Sequence, residues 1–374
     1  MEKILADILA RMGRSVSIDE LKERLLIDFY EALDSLKKSG KVIYSDGLIS
    51  LRENVASGDL AKDSGELVVS SVEDKIVEIY GRPKRAPLRD PLSVIRVLKE
   101  EFRLIVDPEV VYITVSAFLN GRPVLFEGPP GTGKTEMGYA LLTLWSGYPA
   151  FILPCSENYD EYRVIGDFHP LMAMKYGFNE KSFIPRPLLA ALVLGAGVLV
   201  DEVRRSSEEF QNMLLDIIDK RRIIVPELKR SFHAKSEGFQ IIMTSNPEDI
   251  AQNELSDAFL RRVVRVKFTY PSKAEELKIL EVRLGENYKR IPFPLYSKLL
   301  NIIAELREKA TYKPGVSDTV LVSEMSVSLA KLRGKPMVSW KELADSCRYV
   351  LAKSDEDQDL INTLLERELE GLEY

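Results

Sequence analysis

The run Gly128-Pro129-Pro130-Gly131-Thr132-Gly133-Lys134-Thr135 constrains this chain more than any other feature. It follows an apolar, strand-like segment, Val124-Leu125-Phe126, and opens a helical pattern, the setting that G-x-x-x-x-G-K-[ST] requires. Glycines let backbone N–H groups turn inward around an anion at a helix N-terminus. In that geometry Lys134 reaches the β- and γ-phosphates of a nucleotide, and the Thr135 hydroxyl ligates Mg²⁺. The expected nucleotide-binding set is the whole run from Gly128 to Thr135, with Glu136 in the first turn of the helix behind it.

A phosphate loop that does chemistry needs a carboxylate at the end of a neighbouring buried strand. Val198-Leu199-Val200-Asp201-Glu202 supplies two. Asp201 is expected to hold Mg²⁺ and Glu202 to polarise the attacking water; the simpler alternative is that Asp201 only caps the following helix. A third apolar segment, Gln240 to Thr244, runs into Ser245-Asn246-Pro247. Asn246 helps hold the attacking water if this strand lies beside the phosphate-loop strand; otherwise Asn-Pro is an ordinary turn.

Short apolar strands alternate with helical runs from residue 91 to about 270, the pattern of a mostly parallel α/β sheet. Beyond Pro271 only helical patterns remain (Lys273 to Leu284, Leu295 to Lys309, Asp318 to Leu332, Trp340 to Ala352), so residues 271–374 are expected to form a helical lid ending in an acidic helix. Residues 1–60 read as three helices and a hairpin turned at Asp46-Gly47, an order that resembles a winged helix. Residues 61–90 read as a linker with one helix, Val72 to Tyr80, and a breaker-rich basic strip with Arg82, Lys84, Arg85 and Arg89.

Composition closes off several alternatives. The chain has 374 residues and a net charge of −6, so nucleic-acid binding would have to rest on a local basic strip. The two cysteines, Cys155 and Cys347, are too few for a disulfide framework or a cysteine zinc site, and the two histidines leave little for a histidine-based mechanism. The least charged stretch, Ile184 to Val200, is interrupted by Arg186 and falls short of the ~18 to 20 residues that cross a bilayer. No membrane span is expected, and a reducing cytoplasm is.

The phosphate loop, the Asp-Glu strand, the polar third strand and the helical lid together resemble the AAA+ ATPases. Gly197-Val-Leu-Val-Asp201-Glu202-Val203, the Gln211-Asn-Met-Leu-Leu215 helix and the Val225-Pro226 step resemble the MoxR-type members, as does the segment spanning Arg163 to Phe168 and Phe183 to Leu188. The resemblance implies an ATP hydrolase that works as a ring, usually of six subunits, with an arginine of one subunit reaching its neighbour's γ-phosphate. Arg262 falls at that place, and Arg261, where the family has aspartate, is the alternative. Arg204 replaces a neutral amide near the expected subunit boundary, and Lys313 is the nearest match to the lid's nucleotide-sensing arginine. The resemblance further implies remodelling or chaperone-like assembly of a protein client, often beside a von Willebrand factor A domain partner. Lys220-Arg221-Arg222 and Lys229-Arg230 flank a hairpin that faces the ring channel in similar ATPases. The alternative is a DNA-dependent motor or loader docking through its N-terminal winged helix, although acidic residues outnumber basic ones over residues 1–60.

Overall fold

The computed structural model describes residues 16–17, 42–45, 48–51, 71–157, 161–247 and 253–370. The chain divides into two compact units, Met1–Val69 and Ser70–Tyr374. In the first, β1 (Val16–Ser17), β2 (Val42–Ser45) and β3 (Leu48–Leu51) form an antiparallel sheet in the order β1-β3-β2. The antiparallel pairing of the expected hairpin is therefore present, while Asp46-Gly47 lies outside the described residues. Val16 pairs with Ile49 and Ser17 with Leu48 of β3. The three expected helices lie outside the described residues.

The second unit is built on a five-stranded, wholly parallel sheet. Its strands are β4 (Val124–Glu127), β5 (Phe151–Pro154), β8 (Val198–Asp201), β11 (Ile241–Ser245) and β12 (Val264–Lys267), in the order β12-β4-β11-β8-β5. β4 and β11 are buried along their whole length, because helices cover both faces of the sheet. Two short antiparallel pairs stand apart from it: β6 (Gly166–Phe168) with β7 (Phe183–Pro185), and β9 (Arg222–Val225) with β10 (Arg230–His233).

The expected linker requires correction from Ser71 onward. Ser71 caps the helix Val72–Tyr80 through a capping box, and that helix buries Val72 and Ile76 completely in the main core. Lys84 and Arg85 donate their backbone N–H groups to the Gly147 carbonyl at 2.9 and 3.2 Å, and Leu88 donates to Leu144 at 2.8 Å. Arg85 pairs with Glu101 at 2.9 Å, Arg89 pairs with Glu237 at 2.7 Å, and the Arg89 guanidinium lies 4.7 Å above the Trp145 ring. Composition suggested a tether, but the amphipathic helix and the free carbonyls at the end of helix Lys134–Ser146 hold the segment on the core.

From Lys273 onward the described residues are helical throughout, with helices Lys273–Leu284, Phe293–Lys309, Val316–Leu332, Trp340–Leu351 and Asp355–Glu370. The last contributes Ile361, Leu364 and Leu365 to the lid core, so its acidic face is the solvent side of a packed helix. Among the described residues no helix is long and apolar enough to cross a membrane.

Candidate nucleotide site

The phosphate loop leaves β4 and enters helix Lys134–Ser146. Gly131 has a left-handed φ of +69°, and a Cβ there would come within 2.7 Å of the Gly315 Cα. Only glycine meets both demands. Lys134 is buried and its ammonium donates to the carbonyls of Gly128 (2.8 Å) and Pro129 (2.7 Å). Burial pulls its pKa down from 10.5 to about 8, against the opposing pull of Asp201 and Glu202. The lysine therefore braces the loop through acceptors that phosphate oxygens can replace.

β11 lies between β4 and β8, the adjacency on which the reading of Asn246 depends. It also supplies a residue that the sequence reading missed. The Thr244 hydroxyl donates to Asp201 Oδ1 at 2.6 Å and accepts from the Glu202 backbone N–H at 2.8 Å. Thr135 Oγ1 donates to the same Asp201 oxygen at 2.8 Å. Phosphate loop, β8 and β11 are thus joined through one carboxylate oxygen. Glu202 has a left-handed backbone (φ 53°), a conformation costing a non-glycine residue ~1 kcal/mol, and its bond to Thr244 and its ion pair with Arg205 hold it there. The juxtaposed hydroxyl and carboxylate of Thr135 and Asp201 are the oxygen donors that suit Mg²⁺.

Arg204 is held within its own chain: its Nε donates to Ser245 Oγ at 2.8 Å, and its guanidinium pairs with Glu127 at 3.4 Å. Glu127 is 3% exposed and also holds Arg265 at 2.6 Å. A carboxylate so far from water draws in whatever cation the fold offers. The Arg204 carbonyl also accepts from Asn253 N–H at 3.0 Å, fastening the turn after Glu202 to the chain beyond Asn246.

A cleft of about 480 Å³ opens beside the loop, lined by Pro130, Asn246, Tyr270, Thr311, Tyr312 and Lys313. Asn246 and Lys313, far apart in sequence, thus share one cavity with the phosphate loop. The lid also touches the loop directly, with Val316 and Ser317 N–H groups donating to the Gly131 carbonyl at 2.8 and 3.3 Å. The buried carboxylate of Asp357 accepts from Thr311 N–H at 3.0 Å and fixes that wall of the cleft. Glu136 faces away from the loop and pairs with Arg283 of the lid. Arg262 is tied within its own chain to Asp219 (2.8 Å) and the Ala258 carbonyl (2.8 Å), whereas Arg261 is exposed.

Three of the five basic residues that flank the β9–β10 hairpin have partners within the chain. Arg230 is bound by Glu73 and Glu180, Lys220 pairs with Asp216, and Arg221 donates to the Phe239 carbonyl at 2.9 Å. Both cysteines are buried, and burial pushes their thiols up to about 12, so neither is a nucleophile here.

A family model described as AAA domain (dynein-related subfamily) matches residues 123–263, the segment from the residue before β4 to the residue before β12. The chain is 27% identical over 181 residues to the uncharacterized protein YehL of Escherichia coli, covering 48% of this chain and 50% of YehL. It is 26% identical over 234 residues to the gas vesicle ATPase GvpN of Ancylobacter aquaticus, covering 58% and 63%. It is 27% identical over 177 residues to the protein NorQ of Paracoccus denitrificans, covering 47% and 63%. The chain thus spans between half and just under two thirds of the length of these relatives. With the five-stranded order, the phosphate loop and the Asp-Glu strand in place, residues 123–263 match the AAA domains of the dynein-related subfamily in sequence and carry the fold elements such a domain needs.

Proposed function

We propose that the protein hydrolyses ATP at the interfaces of a six-membered ring and uses the cycle to remodel or assemble a protein client. The observation that carries this reading is the hydrogen-bonded set Thr135–Asp201–Thr244, with the Glu202 backbone tied into it, at the mouth of a phosphate loop. Gly128 to Thr135 cradle the phosphates, and Lys134 exchanges its two carbonyl partners for phosphate oxygens. Thr135 and Asp201 hold Mg²⁺, which neutralises charge on the triphosphate. Glu202 takes the proton of the attacking water, and Asn246 orients that water from the adjoining strand. Lys313, in the cleft with Asn246, reports the nucleotide to the lid.

The arginine from a neighbouring subunit is Arg262 once it leaves Asp219, or Arg261, which is already exposed. The name of GvpN as an ATPase supports hydrolysis, and two buried free thiols fit a cytoplasmic location. A von Willebrand factor A domain protein is the kind of partner this reading anticipates. Nothing favours the DNA-dependent alternative, since Arg85 and Arg89 of the basic strip are paired with Glu101 and Glu237.

The test is subunit mixing. Arg262→Ala and Glu202→Gln proteins are each expected to bind ATP and turn it over slowly. Mixed, they should regain activity, because some interfaces then combine an intact Glu202 with an intact Arg262. Failure to regain activity on mixing, with Arg261→Ala also silent in the same assay, would contradict a shared site.

A further inference from the structure

Away from the nucleotide, a cavity of about 680 Å³ lies between the two antiparallel hairpins. Its apolar lining includes Phe168, Met174, Phe178 and Phe183 from the β6–β7 side and Ile224 and Pro226 from the end of β9. Phe168 meets Phe178 and Phe183 edge-on, each at 5.3 Å, which makes an aromatic wall. Met174 is 86% exposed and Phe178 72% exposed, and helix Pro170–Tyr176 buries none of its residues. Exposed methionine and phenylalanine gathered at a concave site mark a binding surface.

The two walls are braced before anything binds. Arg230 on β10 reaches Glu180 at 2.7 Å and Glu73 at 2.6 Å, so it spans the gap between the hairpins. From below, the Lys75 ammonium donates to the carbonyls of Glu180 (2.6 Å), Lys181 (2.8 Å) and Phe183 (3.1 Å). A preformed pocket spends less binding energy on ordering itself.

Charge selects the occupant. The only charged residues in the lining are Asp167 and Glu227, both exposed, and neither pairs with a lysine or arginine among the described residues. Among the described residues no lysine or arginine lines the cavity, and Arg230 beside it is already bound. We propose that this groove binds a segment of the protein client that carries bulky apolar side chains next to lysine or arginine. Phosphates would meet Asp167 and Glu227, so nucleic acid is not the occupant. This names the client chemistry of the remodelling reading above and rests on it for coupling to ATP. The coupling route is short, since β9 directly follows helix Glu208–Lys220, which carries the Asp219 that holds Arg262.

The test is fluorescence anisotropy on the full chain with four probes: a labelled peptide alternating leucine and lysine, the same peptide with glutamate for lysine, one with serine for leucine, and a single-stranded oligonucleotide. The leucine–lysine peptide should bind at least about ten-fold more tightly than the others. The paired change Asp167→Lys and Glu227→Lys should reverse the order of the two leucine peptides, and Ile224→Asp should weaken both about ten-fold. Retained ATP binding by each variant shows that it is folded. Equal binding of all probes, an unchanged order after the charge reversal, or tightest binding of the oligonucleotide overturns the proposal. Because the readout needs no hydrolysis, a chain that fails to turn over ATP yet keeps this order sinks the proposed function alone; intact turnover without the order sinks the groove alone.

Discussion

The nucleotide end of the sheet and the groove between the hairpins are built on opposite principles. At the nucleotide end, short polar side chains converge on one Asp201 oxygen, and even the charged groups are buried or braced: Lys134 on two carbonyls, Glu127 between Arg204 and Arg265. In the groove, large apolar side chains face solvent, and among the described lining residues the charged ones are two acids, Asp167 and Glu227, that pair with no lysine or arginine. One region is preorganised for a fixed chemistry, whose charge and geometry never vary. The other offers adaptable contact to something whose sequence varies. The difference teaches where to expect intolerance to substitution.

Three changes sharpen that contrast. The largest effect belongs to Lys134→Ala, which removes both the brace of the loop and its only buried cation; nucleotide affinity should fall about a hundred-fold or more, read by titration with a fluorescent ATP analogue. The groove should be indifferent, with peptide affinity unchanged. Loss of both activities together would erase the distinction between the two regions.

Next comes Arg204→Ala. It leaves the buried Glu127 with Arg265 alone and cuts the link to Ser245, so stability should drop by about 2 kcal/mol in urea unfolding. Arg204→Lys should recover part of this, because a lysine keeps the charge and loses the fork. An unaffected midpoint would mean that the Glu127 cluster contributes nothing.

The smallest effect is one of pH. Lys134 has a folded-state pKa lowered to about 8 from 10.5, so its charge is lost as the pH rises past about 8. Without nucleotide, the burial cost of that charge is present below about 8 and is relieved as the pH climbs toward 10.5, so this group makes the empty domain slightly more stable there. Nucleotide binding should move the other way and weaken a few-fold over the same range, since bound phosphate prefers the charged lysine. Peptide binding in the groove, which uses carboxylates, should not follow that curve.

Much of the nucleotide site was legible because its chemistry demands fixed residue types at fixed spacing. Gly128 to Thr135, Asp201 and Glu202 stand at strand ends where the motif places them, and the apolar runs of β4, β8 and β11 announce strands covered on both faces. Thr244 escaped notice because its role comes from register: it stands opposite Phe126, one residue inside the strand end, and a threonine there reads as ordinary β-propensity. The partner of Arg204 was not legible, because the sequence shows a charge next to the Asp-Glu turn and says nothing of the buried carboxylate on β4 that captures it. The basic strip 81–89 read as a tether from its glycine and prolines, yet its partners, Gly147, Glu101 and Glu237, lie far along the chain. The groove draws on segments that resemble family members in sequence, Arg163 to Phe168, Phe183 to Leu188 and the Val225-Pro226 step, but nothing in them shows that they meet. Its walls come from residues 165–183 and 224–227, which meet through a shared buried cluster and the Arg230–Glu180 ion pair.

The most direct test of the account is a single-turnover measurement on Glu202→Gln beside the parent chain, with ATP binding and phosphate release followed in the same sample. The account predicts undiminished ATP binding and release slowed by about a hundred-fold or more, because the amide keeps the shape of Glu202 but takes up no proton. Phosphate release at the parent rate would contradict it and remove Glu202 from the chemistry.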